Sequence, residues 1–301
     1  MPRVRARIRT SPTRGAMARS TTAALAVGLL FLFGSAGCAP PPAPQPSAPA
    51  AARPDLRPSA AALLGDVLRR IDEHGSVLST VRGDLGFVGE LAGEGRVRYA
   101  DDHADVTLRG TTRPAGQLPQ PVDLAVIDGV GYLKSPLLRP EPGKPWLRLG
   151  TDGTDFASKL LAPTLGQVQD STDPRATFAG VESATKIESS APDQVDGTPA
   201  TRYSLRVLTS AAAAAAPAQD QRERLQRAAN AGRGEIGYEL WVDERGLPVK
   251  FAASQKVAQA GQVSLTSTYR DWGAPVDVDA PPAEEVGAFP ANPMPQAQPP
   301  R

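Results

Sequence analysis

The sequence predicts an α+β fold: a mostly antiparallel sheet of about nine to eleven strands, with a few helices laid over its apolar face. Three observations predict it. Apolar residues recur at every second position through most of the stretch from Val77 to Tyr269. Turn-forming residues such as Asp128-Gly129 separate the alternating runs. Apolar residues at helical spacing are confined to a few short windows, and no regular repeat is present.

The elements follow in order. Ser59 is a good N-cap, and Leu63, Leu64, Val67, Leu68 and Ile71 form an apolar stripe that Gly75 ends. Val77 to Phe87 reads as a strand interrupted by Gly83 and Gly86. Arg96–Tyr99 and Asp105–Arg109 alternate around a turn at Asp101-Asp102-His103-Ala104. Val122–Ile127 and Val130–Leu133 flank Asp128-Gly129, a strong hairpin signal. Trp146–Leu149 continues the sheet. Asp152–Asp170 reads as a helix with Phe156, Leu160, Leu161 and Leu165 on one side and a break at Pro163. Ala184–Ile187 and Ala200–Leu208 are strands, the second with Tyr203, Leu205 and Val207 on one face. Six alanines at 211–216 lead through Pro217 into a polar helix at Gln219–Ala231. Ile236–Val242, Leu247–Val257 and Val263–Tyr269 form a meander. A sheet this long must curl, and its apolar face must be covered; the amphipathic helices are the candidates.

The first 37 residues hold six Arg and no Lys, Asp or Glu, and end in an 11-residue apolar run, Ala23–Phe33. A spanning helix needs about 20 apolar residues, so this is the pattern of a signal peptide. Met17 precedes a more compact basic region and is the expected initiator. Gly34-Ser35-Ala36-Gly37-Cys38 resembles the lipobox of bacterial lipoproteins, with Ser35 where Leu is usual. That resemblance implies cleavage before Cys38 and attachment of diacylglycerol to its thiol, on the outer face of the cytoplasmic membrane. An ordinary signal peptide with an incidental Cys is the alternative. Cys38 is the only cysteine, so no internal disulfide can form, and acylation would remove a free thiol.

Residues 39–58 hold eight Pro among twenty and read as an extended tether; with Cys38 they make a linker at 38–58. Residues 281–301 hold seven Pro among twenty-one and read as a disordered tail. The folded domain is therefore expected at 59–280. Loss of six Arg with residues 1–37 turns the formal net charge of +1 into −5. An acidic chain without a basic patch is no nucleic-acid binder. Aromatic residues, at 5%, are too scarce for a stacking platform.

Catalytic chemistry has little to draw on. There is no nucleophile elbow, P-loop or His-Glu-x-x-His motif, and Gly83, Gly86 and Gly89 fit no dinucleotide fingerprint. His74 sits at a helix end, where its charge suits the dipole. His103 lies among Asp101, Asp102 and Asp105, but adjacent residues converge poorly on one ion, so a solvated turn is expected and no metal or cofactor. Trp272 reads as a strand-end plug, and Trp241, out of phase with Leu240 and Val242, as facing the outer side of the sheet or a helix. The chain is not expected to be an enzyme.

Three C-terminal segments carry a family resemblance: Val195–Tyr203, Tyr238–Pro248 and Tyr269–Val278. They are similar to the turns and strand ends of the LppX/LprG-type envelope lipoproteins of actinobacteria, which are similar in fold to the lipoprotein carrier LolA. The resemblance spans roughly residues 60–280. It implies a strongly curved half-barrel sheet with helices on its concave face and an apolar cavity between them for the acyl chains of a lipid or glycolipid. Phe156, Leu160, Leu161 and Leu165 would roof such a cavity, facing Leu205, Val207, Leu240 and Phe251; the same residues serve equally as plain core. The expected partners are the membrane through acylated Cys38, a lipid or glycolipid, and an envelope transporter or the lipoprotein-processing machinery. A tethered protein-interaction module without lipid cargo is the alternative.

Overall fold

The computed structural model describes residues 58–287 apart from 87–88, 101–102, 137, 139–140, 150–167, 169–171 and 258–260. Cys38, Phe156, Leu160, Leu161 and Leu165 lie outside the described residues, as do the leader, the tether and most of the helix expected at Asp152–Asp170.

The chain opens with α1 (Ala60–His74). Ser59 Oγ accepts the Ala62 N–H at 3.1 Å, and Gly75, at φ 69°, ends the helix by donating to the Ile71 carbonyl. All five apolar stripe residues are buried, each contributing roughly 1.5–3 kcal/mol. Then come β1 (Ser76–Asp84), β2 (Glu90–Tyr99), β3 (Ala104–Arg113), β4 (Gln120–Ile127), β5 (Val130–Lys134) and β6 (Trp146–Leu149). The short helix α2 (Pro174–Phe178) follows, then β7 (Thr185–Val195), β8 (Thr198–Leu208), α3 (Thr209–Ala215) and α4 (Gln219–Asn230). β9 (Glu235–Asp243), β10 (Pro248–Val257), β11 (Gly261–Arg270) and β12 (Val286–Gly287) complete it.

The twelve described strands form one open sheet in the order β12-β6-β5-β4-β3-β2-β1-β11-β10-β9-β8-β7. It is a curved α+β half-barrel of two meanders. One runs outward from β1 to β6; the other runs inward from β7 to β11. They join where β1 meets β11, with Leu78 opposite Arg270 and Val81 opposite Ser267. The described pairs are antiparallel except β12 with β6. Tight turns carry the left-handed backbone they need: Asp128 and Gly129 have φ of 49° and 72°, and Asp196 and Gly197 of 46° and 85°. At the β9–β10 turn, Asp243 Oδ1 accepts the N–H groups of Arg245 and Leu247, both at 2.9 Å.

Several elements outrun their expected bounds: β2 begins at Glu90 where Arg96 is the expected start, and β3 runs to Arg113 where Arg109 is the expected end. β7 reaches Val195 where the alternation ends at Ile187, because this edge strand is mostly exposed beyond that point and has no apolar face to show. Its Pro192 is tolerated at an edge. The folded chain also passes the expected end at 280. After a 3₁₀ turn at Ala283–Glu285, Val286-Gly287 pairs with Trp146-Leu147, a strand too short for any periodic signal.

Candidate functional site

Residues opposite each other in neighbouring strands share a face, so the pairings define what lines the concave side. On one half of the sheet, Leu205, Tyr238, Leu240, Phe251 and Ala253 lie in one buried cluster with the α1 stripe, Phe178 and Val181. Phe178 stands 5.4 Å from the Tyr238 ring and 5.8 Å from the Phe251 ring, both edge-on. The four described cavity candidates, Leu205, Val207, Leu240 and Phe251, are thus brought together in a core that helices fill.

The other half is different. Val81, Leu85, Leu91, Leu108, Val122, Leu124, Val126, Val263 and Leu265 form a second apolar cluster, from β1–β4, β11 and the loop after β1. Among the described residues, Val168 is its one member from outside the sheet and its flanking loop. We refer to this surface as the basin. Beside it the sheet lining thins. Ser79 faces Gly95, Val81 faces Gly93, and Gly93 faces Gly110. A Cβ added at Gly95 would stand 2.5 Å from Ser79 Oγ, so a side chain there would force that hydroxyl to shift. Sequence reading missed these positions; the signal was Gly93 and Gly95 at period two within β2, on the face that carries Leu91 and Val97.

A strap, Thr172–Phe178, crosses between the two halves. Tyr269 Oη donates to the Thr172 carbonyl at 2.7 Å, and Thr172 Oγ1 donates to the Val168 carbonyl at 2.8 Å. Asp173 caps α2 by accepting the Arg175 N–H at 2.8 Å. Arg175 then ties three elements. Its Nε lies 3.1 Å from Asp72 Oδ1 on α1, its Nη1 donates to the Ala100 and His103 carbonyls of the β2–β3 turn, and its guanidinium lies over the Tyr99 ring at 5.8 Å. Asp173 is 2% exposed. Burial pushes its carboxyl up to about 6, against the opposing pull of backbone N–H groups, the Arg175 charge and Tyr99. Burial, with the Asp173 charge, raises the Tyr99 and Tyr269 hydroxyls well above the phenol range.

The remaining aromatic and histidine candidates fall into place. Trp272 stacks on Tyr99 at 6.1 Å and donates to the Pro248 carbonyl at 2.9 Å, closing the end of the sheet. Trp241 packs with Ala200 and Val249, away from the inner clusters, and donates to Asp193 Oδ2 at 2.7 Å beneath Lys250 and Arg202. His74 Nδ1 lies 2.9 Å from the Arg70 carbonyl in the last turn of α1. Beyond the basin, an open groove of about 470 Å³ runs past Val122, Leu138, Lys134 and Lys144. Its two lysines pair with Asp123 and Glu141 at 3.9 and 2.7 Å.

No family model and no curated protein matches the chain. Solved structures are similar to it at low identity. The Pseudomonas aeruginosa MucA/MucB complex shares 15% identity, over 75% of this chain and 62% of that one, at a TM-score of 0.32. A DUF1329 family protein from Desulfovibrio piger shares 11%, over 70% and 90%, at 0.28. LprF from Mycobacterium bovis, of the LppX/LprG family, shares 17%, over 74% of this chain and 96% of that one, at 0.43.

Proposed function

We propose that the protein is an exported, membrane-tethered lipoprotein that receives the acyl chains of a lipid or glycolipid in the basin and presents them to an envelope transporter or to lipoprotein-processing machinery. The observation that carries this reading is the contrast between the two halves of the concave face. One half is filled by α1, α2 and Phe178. The other is an apolar cluster of nine sheet and loop residues, each at most 8% exposed, to which among the described residues Val168 alone is added from outside the sheet, beside a glycine-thinned lining. Apolar burial stabilises a bound chain by about 25 cal/mol per Å² and needs no catalytic group.

In this reading Phe156, Leu160, Leu161 and Leu165 cover the basin, while Leu205, Val207, Leu240 and Phe251 belong to the neighbouring core that α1 and α2 fill. The groove at Val122, with its lysines and carboxylates, is the polar rim at which a headgroup would emerge. Acylated Cys38 holds the protein to the membrane, and the Pro-rich tether lets the domain work up to roughly 60 Å from it.

The test is mass spectrometry of lipid extracted from the non-acylated protein purified from an actinobacterial host. One lipid per chain is expected, and its loss in Leu108→Trp, which fills the basin, with far-UV circular dichroism unchanged. Wild-type protein free of lipid in repeated preparations would overturn the reading. Cross-linking that recovers a protein partner from such lipid-free protein would favour the tethered interaction module.

A further inference from the structure

Asp101, Asp102, His103 and Asp105 are too close in sequence for all four to converge on one ion, but the structure sets a group from another turn beside two of them. Val106 faces Val126 in the β3–β4 pair, which sets the β2–β3 turn beside the β4–β5 turn. His103 Nε2 thereby stands 3.6 Å from Asp105 Oδ1 and 3.4 Å from Asp128 Oδ1. One donor atom from each of the three residues lies within 4.8 Å of the other two. Two ligands about 2.0–2.1 Å from a tetrahedral zinc ion are roughly 3.3 Å apart, so the two spacings from His103 Nε2 match two edges of such a site, and the two carboxylates lie within 4.8 Å of each other.

Asp105 is held as a ligand rather than left to solvent. It is 4% exposed. Its Oδ2 accepts from Arg98 Nη2 at 2.9 Å, and its Oδ1 accepts the Asp128 N–H at 3.0 Å. A carboxylate oxygen offers two lone pairs, so Oδ1 keeps one directed past that bond. Hydrogen bonds of this kind orient ligating carboxylates. Asp128 is held in left-handed backbone at φ 49°, with its side chain 81% exposed. The open side of the trio therefore faces water.

We propose that His103, Asp105 and Asp128 bind one divalent transition-metal ion of the zinc type, clipping the two hairpin turns together. One imidazole and two carboxylates suit zinc, cobalt or manganese; calcium and magnesium favour all-oxygen sites. His103 would bind through unprotonated Nε2, with water completing the shell. Because Arg175 Nη1 also donates to the His103 carbonyl, at 3.2 Å, the ion and the strap share one turn. A protonated His103 bridging two carboxylates is the competing account of the same geometry.

The test is titration of the chelator-stripped mature chain with Co²⁺, read by visible absorption, and with Zn²⁺ in competition with a chromogenic chelator. One ion per chain is expected. His103→Gln and Asp128→Asn should each weaken binding about 10- to 100-fold. Asn tolerates the left-handed backbone at 128, so the turn survives that change. Asp123→Asn, on the same strand as Val126 but outside the trio, should bind like wild type. Absence of stoichiometric binding by wild type, or equal affinity in the two folded ligand variants, would overturn the proposal and leave the protonated bridge.

Discussion

The Tyr269 hydroxyl donates to the Thr172 carbonyl at 2.7 Å, joining β11 to a strap 97 residues earlier in the chain. The bond is buried and holds the point where the chain enters α2. Tyr269→Phe removes the donor and with it a buried hydrogen bond to that carbonyl. The ring keeps its contact with Trp272 at 5.8 Å, so packing is retained. A loss of roughly 1–3 kcal/mol is expected, concentrated in the strap. Hydrogen exchange of amides 172–178 should rise more than that of β8–β10.

Asp173 makes the same strap sensitive to pH. Its folded value of about 6 lies above the ordinary 3.8, so the folded state holds the proton more tightly than the unfolded chain. The stability this supplies is complete below about pH 4 and is lost as pH rises through 6, a change on the order of 3 kcal/mol. The groups facing Asp173 are Tyr99 on β2, Tyr269 on β11 and Arg175 on α2, itself paired with Asp72 on α1. Asp173→Asn keeps an acceptor for the Arg175 N–H and carries no charge. Urea unfolding from pH 4 to 7.5 should show a smaller decline in the variant, with the variant the more stable above pH 6.5.

Phe178 closes the helical half of the concavity. It is fully buried, edge-on to both Tyr238 and Phe251. Phe178→Ala removes the ring that, among the described residues, touches both, and roughly 3–5 kcal/mol of stability should go with it. The space left is lined by apolar groups, so it should stay dry and take up a small aromatic such as benzene, detectable as a rise in Tm. Flooding of the site, seen as loss of that rise, would mean that the neighbouring helices collapse or part instead.

The order and phase of most strands were legible in the sequence because one face of each is buried. Val77 to Val81 and Val263 to Tyr269 show this, as does α1 between Ser59 and Gly75. What escaped lacked that asymmetry. Glu188 to Gln194 on the edge of the sheet is mostly exposed, and Val286-Gly287 is too short to alternate. The chemistry of single groups escaped for another reason. Asp173 carries no signal in the sequence, and nothing local says that it will cap a helix or that two tyrosines from distant strands will enclose it. Asp128 reads as a turn residue; only the β3–β4 register brings it to His103.

The register also accounts for Gly95, which reads as a weakness in β2 until Ser79 is placed opposite it. A methyl group at 95 would meet Ser79 Oγ at 2.5 Å, whereas Ser79 Cβ would be 3.9 Å away, an ordinary contact. The conflict thus lies with one hydroxyl oxygen. Gly95→Ala alone should destabilise by about 1–3 kcal/mol, the usual cost of overpacking. With Ser79→Ala the same methyl has room, and the lower entropy cost of ordering alanine then favours the fold. A double-mutant cycle by urea unfolding should give a coupling of about 1 kcal/mol or more, with the double variant more stable than Gly95→Ala. Additive losses would place the conflict in the backbone, at the Thr107 carbonyl 3.4 Å from the added carbon, and not in the serine.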